Sequence, residues 1–140
     1  MNKQALAERT AEIIQREDRA SRWLGMQLQE VRPGYARLTM RVTENMVNGQ
    51  KVCHGGLIFS LADSSFGFAC NSHNQHALAA SCSIDFLAPA ALGDELTAEA
   101  TETAHAGRTR VYDVRVTNQE GTLIAVFRGK SAAVKGLWVE

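Results

Sequence analysis

Asp63 is the only charged side chain between Gly55 and Cys70, in a run of Gly, Ala, Leu, Phe and Ser that places it among Leu61, Ala62, Phe66 and Phe68. The run predicts a helix over Gly55 to Asn71, and a helix that is apolar on all sides is buried on all sides. An unpaired buried carboxylate is costly, so Asp63 calls for a reason. The start of the same helix offers a second kind of chemistry. Cys53-His54-Gly55-Gly56 opens it without Ser, Thr, Asp or Asn as the ordinary cap. The first helical amides lack intrahelical acceptors, and glycine lets another group approach them closely. Such amides, reinforced by the helix dipole, suit a carbonyl oxygen that becomes negative during acyl transfer. His54 and Asn48 are nearby donors that could hold that oxygen or its loop; a capping histidine and a turn asparagine are the plainer readings.

Ser60, Asp63, Ser64 and Gly67 also follow i, i+3, i+4, i+7 spacing. They could form a narrow stripe facing solvent, or line a subunit interface that contains the active site. Spacing along the helix bears on this choice. Asp63 lies eight residues beyond Gly55, a separation of roughly 12 Å along one axis. Reacting groups must lie about 3 Å from their targets, so one helix cannot bring both to a single carbonyl. Two antiparallel copies related by a two-fold axis can. The geometry predicts a dimer with two composite sites, Gly55 of each subunit facing Asp63 of the other.

The elements that must position these groups read as follows. Gln4 to Arg16 predicts a short amphipathic helix through Leu6, Ala7, Ala11, Ile13 and Ile14. Two strands follow, about Met26 to Val31 and Tyr35 to Val42, joined by a turn at Pro33-Gly34. Thr43 to Cys53 is polar, carries Asn48-Gly49 and reads as a loop. After the apolar helix, Ala80, Cys82, Ile84 and Phe86 are expected on one face of a strand, with Ser81, Ser83 and Asp85 on the other. Leu96 to Ala104, Thr109 to Thr117 and Leu123 to Val134 predict three more strands, turning at Gly107-Arg108 and Glu120-Gly121. The expected fold is therefore α+β, one domain over residues 1–140, with an antiparallel sheet wrapping an unusually apolar helix.

Composition narrows the function classes. Lys plus Arg and Asp plus Glu both number 15 among 140 residues, which argues against a nucleic-acid binder driven by phosphate neutralisation. No apolar run approaches the roughly 20 residues needed to span a bilayer, and the charged opening stretch is unlike a signal peptide. Cys53, Cys70 and Cys82 form no CxxC pair, so neither a disulfide framework nor a metal site is expected. A soluble, reduced, cytoplasmic protein is the simplest class.

Asn48, the run His54-Gly55-Gly56, and Asp63 nine residues after His54 together resemble the signature of the hotdog-fold acyl-CoA thioesterases. The resemblance extends through Asp85-Phe86-Leu87-Ala88-Pro89, Gly93-Asp94 and Phe127-Arg128-Gly129-Lys130. Asn48-Gly49, Phe59-Ser60-Leu61-Ala62-Asp63 and Ala69-Cys70-Asn71-Ser72 are similar in particular to the phenylacetate-degradation branch. The resemblance implies a hotdog fold: a curved antiparallel sheet around a long central helix, with a short N-terminal helix and subunits paired as dimers or as tetramers built from two dimers. It implies that the Gly55 amide and Asn48 polarise a thioester carbonyl, supported by His54. Asp63 of the partner subunit would then act as general base or nucleophile, with a pKa raised by its apolar setting. Gly56 is expected near the substrate. Counting from Asp63 points to Ser81 as a residue that orients water, whereas counting from Pro89 gives Ala79. No metal or redox cofactor is implied, since coenzyme A belongs to the substrate. Arg108, Arg110, Arg128 and Lys130 are available for its phosphates, or are ordinary strand charges. The expected acyl group is phenylacetyl or its ring-hydroxylated derivatives, with Phe59, Phe66 and Phe68 as pocket or core; short or medium fatty acyl groups are the alternative. A hydratase on the same scaffold would place an acid/base histidine deeper in the site. A non-catalytic acyl-CoA-binding module would tolerate the loss of Asp63.

Overall fold

The computed structural model describes residues 1–140. Two helices, α1 (Lys3–Glu17) and α2 (Arg19–Trp23), precede strands β1 (Gln27–Arg32) and β2 (Tyr35–Arg41). Helix α3 (Gly55–Asn71) follows, and then β3 (Ala77–Phe86), β4 (Glu95–Ala106), β5 (Thr109–Thr117) and β6 (Leu123–Ala133). All six strands form one antiparallel sheet in the order β1-β2-β4-β5-β6-β3. This order explains where α3 must lie. Its neighbours in sequence, β2 and β3, sit towards opposite edges of the sheet, so the segment that joins them crosses the sheet face.

The sheet wraps α3 with small and branched side chains taken from alternate positions, as the period of a strand requires. Ala36, Leu38 and Met40 of β2, Leu96, Ala98 and Ala100 of β4, and Tyr112, Val114 and Val116 of β5 are all buried. They form one core with Leu61, Ala62, Phe66 and Ala69 of α3. This is the hotdog arrangement that the resemblance implies. No helix is long and apolar enough to cross a membrane.

Several expectations change in detail. The α2 helix is absent from the sequence reading, because five residues are too few to show a period. It is held instead by capping: Asp18 accepts a hydrogen bond from the Ser21 amide at 3.1 Å. Strand β3 begins at Ala77 rather than Ala80 and carries a bulge between Ala79 and Ser81. The bulge takes Ala80 out of the expected alternation. Cys82 and Ile84 still pack against the core, while Phe86 is half exposed. Helix α3 is not buried on all sides in the single chain: Ser60, Asp63, Ser64 and Gly67 form a partly accessible stripe. Both readings of that stripe, solvent face and subunit interface, are compatible with the exposure.

Helix and sheet approach closely at Gly129. A Cβ built there would lie 2.8 Å from the Phe66 ring, and the ring itself is buried against Tyr112 and Phe127. Gly129→Ala is expected to lower stability by about 1–3 kcal/mol through overpacking, read from the midpoint of urea unfolding.

Candidate active site

The loop before α3 folds back on itself through hydrogen bonds from Asn48 N to Val52 O (2.8 Å) and from Lys51 N to Asn48 O (2.9 Å). The Asn48 side chain tightens the same loop, its Oδ1 accepting from Gln50 N at 2.9 Å and Val52 N at 3.3 Å. This is the turn-asparagine arrangement, yet it uses only the carbonyl half of the side chain. The Nδ2 group makes no hydrogen bond within the chain and is left as a free donor on the loop that leads into α3.

His54 is the N-cap of α3. Its backbone N–H donates to Met46 O at 2.7 Å, which ties the cap to the loop. Its Nδ1 accepts from Gly56 N at 2.9 Å. A ring nitrogen that accepts carries no proton, so in the neutral ring the proton sits on Nε2. The His54 carbonyl takes the amides of Leu57 and Ile58. Among the first amides of the helix only that of Gly55 has no acceptor within the chain. The candidate Gly56 is thus at the site, but its N–H is committed to His54. Gly55 faces the half-exposed Phe86 ring, whose Cζ would lie 3.1 Å from a Cβ at position 55. A shallow apolar cavity of about 350 Å³ opens there, between Val52, Ile58, Phe86 and Pro89.

Two turns further along, Asp63 sits in the accessible stripe. Its carboxylate takes part in no ion pair and no side-chain hydrogen bond within the chain. Burial pushes its pKa above the ordinary aspartate value, as the apolar setting predicts. Cys70 of the next turns and Cys82 of β3 lie within its field. Burial and the Asp63 charge together push the Cys70 thiol up to about 12, and both raise the Cys82 thiol as well. These thiols are protonated and act as apolar walls.

Gly55 and His54 adjoin at the start of α3 and Asn48 lies on the loop that leads into it, opposite Val52, while Asp63 stands apart by roughly 12 Å of helix. Ser81 is not brought to Asp63 within one chain. It pairs with the exposed Lys130, on the sheet face turned away from α3, whereas its neighbour Cys82 pairs with the buried Gly129 and faces the helix. Phe66 and Phe68 are buried core, and only Phe59 is partly accessible. Among the basic candidates, Arg110 is held by Glu102 at 3.0 Å and Arg128 by Asp113 at 2.7 Å. Arg108 and Lys130 have no acidic partner. Arg108 lines a cavity of about 210 Å³ with His73, Gln75 and His105. Sequence reasoning missed Ser21, whose hydroxyl lies 3.3 Å from that of Ser64 beside the catalytic candidate; the Asp18-x-x-Ser21 capping spacing was the available signal.

The family model described as the thioesterase superfamily matches residues 50–125, which include His54, Gly55 and Asp63 but not Asn48. The chain belongs to that superfamily. It is 42% identical over 130 residues to the acyl-coenzyme A thioesterase PaaI of Escherichia coli, covering 93% of each chain. The solved structure of the E. coli PaaI protein from the phenylacetic acid degradation operon superposes with a TM-score of 0.95 at 40% identity, over 97% of this chain and 99% of that one. A Streptococcus mutans protein bound to acetyl-CoA matches at a TM-score of 0.77 and 27% identity, over 80% of this chain and 90% of that one.

A raised Asp63 pKa has a consequence for stability whose sign is fixed. The folded state binds this proton more tightly than the unfolded chain, so the ionised carboxylate costs stability at neutral pH and the cost fades on acidification. In this superfamily member Asp63→Asn should melt at a higher temperature than the wild type at pH 7. The gap should close as pH falls towards the ordinary aspartate value, about 3.9, in thermal scans across that range.

Proposed function

We infer that the protein is an acyl-CoA thioesterase whose site is shared between two subunits, acting on phenylacetyl-CoA or its ring-hydroxylated derivatives. The observation that carries this reading is the division of labour along α3. The helix has one unengaged amide, at Gly55, and one unpaired half-buried carboxylate, at Asp63. They are too far apart to serve one carbonyl in the same chain. The E. coli relative named above supports the aryl substrate class and a place in phenylacetate breakdown.

In the reaction the thioester oxygen accepts hydrogen bonds from the Gly55 amide and Asn48 Nδ2, which stabilise the negative charge of the tetrahedral intermediate. His54 holds this arrangement by capping Gly56 and anchoring to Met46. The partner subunit's Asp63 removes a proton from water, whose oxygen attacks the carbonyl carbon. Collapse of the intermediate breaks the C–S bond, and the thiol of coenzyme A leaves with the proton that the carboxyl returns. Direct attack by the carboxylate, through a mixed anhydride that water then hydrolyses, uses the same geometry. The raised pKa serves either route, because it makes the carboxylate both a stronger base and a stronger nucleophile.

The second subunit has an evident place to join. Strand β3 pairs only with β6, so its other edge is free, and Leu78, Phe86 and Leu87 on and beside it are exposed. A long edge with exposed apolar side chains is a template for pairing with another strand. Joining two β3 edges makes one continuous sheet and sets the two α3 helices antiparallel across the axis. Two such dimers make a tetramer, and the enzyme works in the cytoplasm.

Thiol release from a panel of phenylacetyl and fatty acyl-CoA esters tests this reading. Asp63→Asn and Asn48→Ala should each lose activity by about two orders of magnitude. Mixed and re-equilibrated, the two variants should regain part of it, because one of the two hybrid sites keeps both groups. Subunit exchange without any recovery would sink the shared site. Faster turnover of fatty acyl than of aryl esters would replace the substrate class. For the nucleotide end, Arg108 is the free cation beside a cavity. Arg108→Ala should raise KM for the CoA ester roughly tenfold, since a charged hydrogen bond is lost, with much less change in kcat.

A further inference from the structure

Nothing in the backbone at position 55 calls for glycine. Six glycines of the chain have a positive φ, and Gly55 is not among them. Its free N–H belongs to the main chain, so any residue but proline would supply the same donor. What excludes a side chain is the ring of Phe86. A Cβ at position 55 would lie 3.1 Å from the ring tip, Cζ, tighter than the roughly 3.5–4.0 Å at which carbon atoms pack. At Gly56 the atom in the way is a different one: His54 Nδ1, at 3.0 Å, which is the acceptor of the cap. The second glycine makes room for the cap, and the first makes room for Phe86.

The backbone that carries this ring is fixed at both ends. Phe86 pairs with Ala125 at the end of β3, and the Leu87 N–H donates to Ile124 O at 2.8 Å. A few residues on, Ala90 O accepts from Cys53 N at 2.8 Å, which ties the segment to the residue before His54. Yet the ring is 52% exposed, so its burial stabilises the single chain less than that of a core phenylalanine. A Cβ is one bond from Cα and two from the amide nitrogen. The ring tip therefore stands beside the Gly55 N–H and takes space that water would otherwise fill. A helix-start amide without an acceptor is ordinarily satisfied by water. A donor from which water is kept acts more strongly on a developing negative charge.

We propose that Phe86 is a positioning residue for the reaction: its ring, fitted into the space left by the missing side chain of Gly55, shields one side of the Gly55 amide from water and strengthens that donor's hydrogen bond to the thioester oxygen in the transition state. This rests on the thioesterase reading above and adds to it a residue outside α3 and its loop. Glycine at position 55 is then required by the ring and not by the amide, and the two residues act together.

The experiment is a double-variant cycle on thiol release from acyl-CoA, with kcat and KM read separately for the wild type, Gly55→Ala, Phe86→Leu and the two combined. Gly55→Ala displaces the ring and Phe86→Leu withdraws it, so each should lower kcat about tenfold, the size of one weakened hydrogen bond, with little change in KM. In the combined variant the added methyl fills the place that the ring tip leaves, and kcat should recover to within about threefold of wild type. Phe86→Met, long enough to cover the same spot, should by itself hold kcat near the wild-type value. Thermal melts and size exclusion identify the folded, assembled variants, and Phe86→Ile, suited to a strand, takes the place of Phe86→Leu in the cycle if that variant does not assemble. Losses that simply multiply in the combined variant, or a Phe86→Leu protein with unchanged kcat, would overturn this proposal and leave the thioesterase reading standing. No thiol release by the wild type from any acyl-CoA would overturn that reading and this proposal together.

Discussion

The ring of Phe66 lies on Gly129, close enough that a single methyl group at that position would collide with it. Much else follows from this contact. It lets α3 sink into the sheet, so that Leu61, Ala62 and Ala69 are sealed and Tyr112 is buried against the same ring. Packing at this density leaves little freedom to rotate the helix. The stripe left over is therefore fixed as well, and it holds Ser60, Asp63, Ser64 and Gly67. The position of the carboxylate is set by the face of the helix that the sheet does not cover.

The two ends of that helix differ in electrostatic character. At the N-terminus His54 and the loop engage neighbouring amides and leave that of Gly55 unengaged. An unengaged amide at a helix start carries the positive end of the dipole towards any oxygen placed there. Two turns on, burial without a cation or donor raises the Asp63 pKa. The field of Asp63 reaches the Cys70 and Cys82 thiols, and with burial it raises their pKa values. The protein therefore separates the group that suits a developing negative charge from the group suited to taking a proton.

Much of this was legible in the sequence, for a physical reason. The run from Gly55 to Asn71 is long, apolar and opened by glycines, so its bounds as a helix could be read to the residue. Strand β5, Thr109–Thr117, was equally plain because it alternates between two tight turns. The reading failed where the cause is tertiary. Five residues of α2 have no period to display, and only their caps and their contact with Ser64 hold them. The bulge in β3 adds one residue to a strand, which shifts side chains between faces. That is why Ser81, attractive by counting, faces away from Asp63 in its own chain, while Cys82 faces the helix. Gly56 was expected near the substrate, and of the two readings open for His54 it is the capping one that engages the Gly56 amide.

The exposed edge of β3 links stability to chemistry. Leu78, Phe86 and Leu87 are accessible in the single chain, and a free edge of this kind is a hazard unless something covers it. Phe86 also packs against Gly55, the residue with the unengaged amide. Whatever covers this edge therefore reaches the rim of the proposed oxyanion site. In the proposed dimer the cover is a second β3, and the helix that comes with it carries the missing carboxylate. An isolated subunit would then be both adhesive and inactive. Assembly would remove both defects through a single contact, so in the proposed dimer catalysis and the burial of the edge would depend on the same pairing.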